Sequence, residues 1–440
     1  MDFTERFLYH IWDAQHLKTR LKTKSGKKLN ILFQGRWNTN SGPDFNAAII
    51  KIDKKVKQGD IEIDMSGNDW KNHGHQENPE FNNVILQVVY ENKSDTQLRI
   101  TENGRLIEVF ELIHYLDINI SKLIKKYSGL QFKPQGKSCL FFSELEIEKL
   151  AYILANLGHH RLQQKIKRFS AELFFSDLNE IFYQGIMESL GYSKNKFQML
   201  LVAKKLTYKK LREFRNKGMR KLEMISLLLG STGLFKKLPS TFPQDLIHKL
   251  GSLYQTQIYQ KQNFDINWNL FRIRPNNNPA IRILQISGFL YNSLSDSIIA
   301  NLIPLFSFPE SEFDLKKFQH NLFKFFRSDN IGLPDNCKLG KSRIDTILVN
   351  TIIPLMIIYA RQKKYQGLEK IILEIYKRFR RLPDNQITNY LKSYLNPEQS
   401  RLASKNTIHQ QGIIQLYQSY CRFHNCELCL ENRNKLLNSQ

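Results

Sequence analysis

Side chains able to do chemistry gather at two places in this 440-residue chain. Near its start, Asp44 follows Gly42-Pro43, and Glu62 and Asp64 come 18 and 20 residues after it. Pro43 locks its own φ and so restricts the turn that aims Asp44. Asp60, Glu62 and Asp64 alternate with Ile61, Ile63 and Met65, so on a strand the three carboxylates share one face. Such a face is either wet or functional. His73-Gly74-His75, just beyond Trp70, offers two imidazoles as metal ligands or proton carriers; the structural use would be loop residues bonded to backbone. Gln87 interrupts the apolar run Val84–Val89, and if buried it needs a partner, which the acidic face can supply. At the other end, Cys421, Cys426 and Cys429 have metal-ligand spacing, with Cys139 as a distant fourth thiol and His424 as a replacement for it. Four thiolates suit Zn²⁺ or an iron–sulfur cluster equally, whereas without a metal these are free thiols. Cys337 stands outside the pattern.

The elements that must position these groups form an α+β protein. Residues 1–118 read as an α/β domain: an amphipathic helix over Thr4–Leu17, then strands at Lys28–Phe33, Phe45–Ile52, Asp60–Met65, Val84–Tyr90, Gln97–Thr101 and Arg105–Leu112, divided by Gly, Asn, Pro and Asp clusters. Asn103-Gly104 between the last two predicts a type I′ hairpin. Residues 119–440 read as a large all-helical domain. In it Ser143 and Glu146 form a capping box, and Lys194–Arg220 and Arg361–Arg381 are rich in basic residues.

A helix, three strands with one acid heading the second and another on the third, a short helical link and a further strand: this order and motif placement resemble the PD-(D/E)XK nuclease core. The resemblance implies a mixed sheet with a flanking helix. It also implies that Asp44 and Glu62 hold Mg²⁺ or Mn²⁺, a hard cation that activates water against a phosphodiester. The superfamily's lysine two residues after the second acid is Asp64 here. Lys51, Lys71 or His73 would then supply the missing positive or proton-transferring group, and Glu5 an additional acid. Across nearly its whole length the chain also resembles the family called domain of unknown function 2851. That likeness runs through Gly42-Pro43-Asp44-Phe45, Gly59–Ile63, Asp69-Trp70, His73–His75, Arg274–Pro279, Arg282, Gln285, and Gln411–Tyr417 up to the three cysteines.

Net charge is +24, and its distribution is uneven. Residues 1–110 hold 16 basic and 15 acidic side chains, against 49 and 26 in the remainder, an excess of 23. A surface of that sign attracts polyanions, so the helical part is expected to hold nucleic acid, DNA or RNA. The richest apolar run, Ile344–Tyr359, is interrupted by Asp345, Asn350 and Pro354, and Met1–Leu17 carries charges that no signal peptide core has. With few cysteines, this predicts no membrane partner and a reducing, cytoplasmic location. The function expected is a metal-dependent nuclease. A nucleic-acid-binding protein with a degenerate nuclease fold, and a scaffold whose basic face meets an acidic protein, are the alternatives.

Overall fold

Alternating apolar residues and turn-forming clusters build a mixed sheet in the computed structural model, which describes residues 3–38, 41–92, 97–128, 139–143, 145–239, 242–256, 263–307, 314–327, 333, 337–423 and 426–438. Its strands are β1 (Leu21–Lys22), β2 (Lys28–Phe33), β3 (Arg36–Trp37), β4 (Phe45–Ile52), β5 (Lys55–Ser66), β6 (Val84–Glu91), β7 (Leu98–Ile100) and β8 (Leu106–Glu111). They lie in the order β1-β2-β4-β5-β6-β8-β7, with β3 paired to β4. From β1 to β5 the pairing is antiparallel; β5, β6 and β8 run parallel; β7 returns antiparallel. The parallel centre is buried on both faces, which is why Val84–Val89 reads as a continuous buried run.

Helix α1 (Glu5–Ala14) packs Leu8, Ile11 and Trp12 into the core shared with Ile61, Ile63, Leu86 and Val88. It is shorter than the amphipathic pattern predicts, because Gln15 turns left-handed at φ 55° and ends it. The β7–β8 hairpin also differs from the expected type I′ turn. Gly104 alone has positive φ, at 79°, and its N–H donates to Thr101 O (2.9 Å), while Thr101 N–H donates to Arg105 O (3.0 Å). That is a three-residue loop in which only the last residue must be left-handed. Between β5 and β6 run α2 (Asp69–Asn72) and two 3₁₀ turns, His75–Glu77 and Pro79–Asn83. Helix α3 (Ile120–Ser128) follows the sheet. In α4 (Ile147–Glu172) the expected capping box is absent: Glu146 is the N-cap residue, and the Ser143 hydroxyl donates to Leu140 O (3.0 Å) instead.

The chain makes two compact units, one of Met1–Phe174, Asn385–Ala403 and Gln411–Gln440, the other of Phe175–Asp384 and Ser404–Gln410. The change of composition near residue 118 falls inside the first unit, which also takes the C-terminal cysteines. The second unit is helical among its described residues. Asp345, Asn350 and Pro354 interrupt its apolar run without breaking the helix: Lys341–Gln362 is one continuous helical stretch. Leu348–Ile352 widens to a π-helix just ahead of Pro354, which relieves the clash of a proline ring with the preceding turn. This is the one described helix long and apolar enough to cross a membrane, and 83% of its most apolar window is buried inside the protein.

Candidate metal centre

Period-two alternation on β5 turns Ile61 and Ile63 into the core and leaves Glu62 and Asp64 on the opposite face. That face is not wet: Glu62 is 7% exposed and Asp64 0%. Asp44 stands at the head of β4, where Phe45 pairs with Ile61. Its Oδ2 accepts from Ile63 N–H (2.9 Å), and its own N–H donates to Glu62 Oε2 (3.3 Å), so backbone bonds hold the two acids side by side. The Tyr9 hydroxyl donates to Glu5 on α1 and also bonds Asp44, bringing a fourth carboxylate to the group. Burial raises the pKa of Asp44 against the lowering effect of the Tyr9 and Ile63 bonds. Burial raises Glu62 further, helped by the charges of Asp44 and Asp64.

The link after β5 brings the histidines. Gly74, at φ 72°, reverses the chain between them, a conformation that costs a side-chain-bearing residue about 1–2 kcal/mol. His73 Nδ1 lies 3.4 Å from Asp64 Oδ1, and His75 Nε2 lies 3.1 Å from Glu62 Oε1 and 3.9 Å from Asp64 Oδ1. His75 is buried, stacked on Phe81 with ring centroids 4.0 Å apart and set edge-on against Trp70, whose indole N–H is anchored on Ile100 O (3.0 Å). Burial and the neighbouring His73 lower His75 to about 4, which keeps it neutral, the form that ligates metals. Asp64, His73 and His75 offer ligand atoms all within 4.8 Å of one another. Two of the buried atoms involved, Asp64 Oδ1 and His75 Nε2, have no hydrogen-bond partner among the described residues. Buried polar atoms are normally satisfied, so these two need a further partner that the described residues do not supply.

Behind Asp64 runs a relay. Gln87 Nε2 donates to Asp64 Oδ2 (2.7 Å), and Arg99 Nε donates to Gln87 Oε1 (2.9 Å) while its Nη2 reaches Asn92 Oδ1 (3.3 Å). Gln87 thus meets the acidic face as its burial requires. Arg99, 5% exposed, is legible in the sequence only as one cation on a short edge strand. Gly67 makes room for it: a Cβ there would stand 1.9 Å from Asn92 Oδ1 and 2.4 Å from Arg99 Nη2. Gly67→Ala is expected to force both buried groups apart and to cost about 1–3 kcal/mol, read as a lower urea midpoint.

The remaining sequence candidates lie elsewhere. Lys51 pairs with Val56 at the far end of β4, roughly 20 Å along the strand from Phe45. Lys71 is exposed on α2 and makes no ion pair with either acid among the described residues. Asp60 is engaged by the fold itself, its oxygens accepting from Ala47 N–H (2.8 Å) and Asn83 Nδ2 (2.9 Å).

Four of the five cysteines lie near one another, while Cys337 belongs to the second unit. Cys139, Cys421 and Cys429 pack in one cluster with Phe141 and Leu416, and Arg433 of the helix Cys426–Asn438 donates to Leu140 O (2.9 Å) and Phe141 O (3.2 Å) beside Cys139. Burial and the nearby thiols of Cys139 and Cys426 push Cys421 up to about 12; burial and all three other thiols raise Cys429, and burial with Cys139 raises Cys426. His424 lies outside the described residues.

Of the basic runs, Arg361–Arg381 has three of its arginines closely paired: Arg361 with Glu369 (2.8 Å), Arg380 with Asp345 (2.7 Å), Arg381 with Asp384 (2.7 Å). Lys209, Arg212 and Lys217, on and just after the helix Tyr208–Asn216, are exposed and have no ion pair among the described residues.

No curated protein and no solved structure matches this chain. The sequence profile of one family covers residues 5–385, a span that includes the whole acid and histidine cluster, and by that match the chain belongs to the family described as protein of unknown function DUF2851.

Proposed function

We propose that the first unit is a metal-dependent phosphodiesterase of PD-(D/E)XK type acting on DNA or RNA. The observation that carries this reading is the meeting of buried Asp64 and His75 with exposed His73 beside Glu62 and Asp44, with Asp64 Oδ1 and His75 Nε2 left without hydrogen bonds among the described residues. The order α1, β2, β4, β5, helical link, β6, antiparallel and then parallel, supports it. Glu62, Asp64 and His75 would hold Mg²⁺ or Mn²⁺, with Asp44 fixed behind Glu62; the imidazole favours Mn²⁺. The cation supplies Lewis acidity toward the phosphodiester and the attacking water. His73, with its side chain 48% exposed, takes the proton as water oxygen bonds to phosphorus, the bond to the leaving sugar oxygen breaks, and solvent protonates that oxygen. In this chain His73 stands in for the missing lysine, and Arg99 acts only through Gln87 to orient Asp64.

The unpaired basic side chains near Lys209–Lys217 would hold the nucleic-acid backbone. The four thiols would take Zn²⁺ or an iron–sulfur cluster as a structural group. Elemental analysis and visible spectra of anaerobically purified protein separate these two; folded protein with neither zinc nor iron removes the cofactor. The activity itself is tested by incubating the chain with single- and double-stranded DNA and RNA, with Mn²⁺, with Mg²⁺ and with chelator. Cleavage that needs the cation and disappears in Glu62→Gln is the expected result. The acid at position 64 favours a second reading, nucleic-acid binding without catalysis. Salt-dependent binding with no cleavage under any of these conditions would put that reading in its place.

A further inference from the structure

The second unit buries two arginines with no carboxylate partner among the described residues. Arg282 is 7% exposed and Arg343 9%. Neither makes an ion pair among the described residues. Their hydrogen bonds go to neutral groups: Arg282 Nη1 to Gln285 Oε1 (2.8 Å) and Nη2 to Asn277 Oδ1 (2.6 Å), Arg343 Nη1 to the carbonyl of Ser189 (3.1 Å). The Nε of each has no hydrogen-bond partner among the described residues. Tyr192 joins them. Its ring lies 4.4 Å from the Arg343 guanidinium carbon, and each arginine lies within electrostatic reach of its hydroxyl and of the other arginine. Tyr192 is itself 42% exposed, so Arg343 sits one side chain below the surface. Its backbone is held at φ 56°, and the helix it begins departs from helical geometry at Asn195, which is locked to Asn269 by two side-chain bonds (2.8 and 2.9 Å). Strain of this kind, kept in place by the surrounding contacts, gathers at ligand sites.

Buried cations are stable when an anion meets them, and two guanidiniums carry enough donors for a dianion with several oxygens. We infer that Arg282, Arg343 and Tyr192 form a phosphoryl-binding site, with Gln285 and Asn277 orienting Arg282. The ligand class is a phosphate dianion, either free or at the end of a nucleic-acid strand. The strand-end form rests on the phosphodiesterase reading; the free form does not.

The test uses the full chain. Its melting temperature is followed in inorganic phosphate and in chloride at equal ionic strength, for wild type, Arg282→Gln and Arg343→Gln. Removing one of two like charges should leave the phosphate-free variants at least as stable as wild type, so loss of folding does not blur the result. Phosphate is expected to stabilise wild type more than chloride does, and each variant should weaken phosphate binding about tenfold or more. In a second arm, oligonucleotides with and without a 5′-phosphate or a 3′-phosphate compete in a binding assay in chelator, where no cleavage occurs. A preference for one phosphorylated end that both variants abolish identifies the strand end as the ligand; no preference with phosphate stabilisation intact identifies the free anion. Equal melting in phosphate and chloride together with no end preference overturns the site, as does phosphate stabilisation that both variants retain. Cation-dependent cleavage is scored separately, so its absence would count against the phosphodiesterase alone.

Discussion

Asp64→Asn should raise the melting temperature of the metal-free protein at pH 8 and abolish the further rise that Mn²⁺ gives the wild type. Asp64 is wholly buried, and burial, the largest influence, pushes it up from 3.8 to about 7 against the lowering bond from Gln87. A raised carboxylate means that the folded protein binds more protons than the unfolded one between those two values, so stability falls as pH rises through that window and stays low above it. Glu62 is raised in the same sense, and its penalty extends to higher pH. Asparagine keeps the shape and can still accept from Gln87 while carrying no charge. The gain should therefore be absent near pH 4 and largest above pH 7. At about 2–4 °C per kcal/mol for a domain of this size, a relief of a few kcal/mol reads as several degrees. In wild type the same repulsion is what a divalent cation offsets, so Mn²⁺ should stabilise wild type most at the high end of the range. A melting temperature for Asp64→Asn below wild type at pH 8, in chelator, would show that the acid is satisfied by the fold itself and that the centre holds no metal.

Replacing Lys209, Arg212 and Lys217 together by glutamine should lower affinity for nucleic acid and flatten its salt dependence. Each phosphate contact contributes roughly 0.7 to the slope of log affinity against log salt for single strands and 0.9 for duplex, so losing three removes roughly two to three from it. The paired set Arg361, Arg380 and Arg381 serves as the comparison, because their ion pairs with Glu369, Asp345 and Asp384 already spend much of their charge. Glutamine there should change the slope less. Equal losses from the two triples would mean that the net excess acts as a diffuse field and that no face of the second unit is the binding surface. Binding is measured in chelator, where cleavage cannot obscure it.

The sequence alone determined the local elements of the sheet and the identity of most groups in the centre. Strands β2 and β4 begin and end where the sequence places them, since their apolar-rich runs are bounded by Gly, Pro and Asp. Asp44, Glu62, Asp64, His73 and Gln87 stood out because acids, imidazoles and amides are anomalous on or beside apolar strands. Tertiary structure decided their grouping. Asp60 shares a strand face with Glu62 and Asp64 by period-two counting, which cannot see that its oxygens are taken up by Ala47 N–H and Asn83 Nδ2. Only the fold showed that Asp64 is wholly buried, with an Oδ1 that no hydrogen bond from the described residues satisfies. Lys51 and Lys71 were plausible by charge, yet strand length carries one to the far end of β4 and helix geometry leaves the other in solvent. Tyr9, Arg99 and Arg343 carried no local signal at all, and Arg282 stood out only through the family likeness. A tyrosine on an amphipathic helix, or an arginine among many in a chain of charge +24, becomes chemically distinct only through the desolvation and the partners that folding supplies.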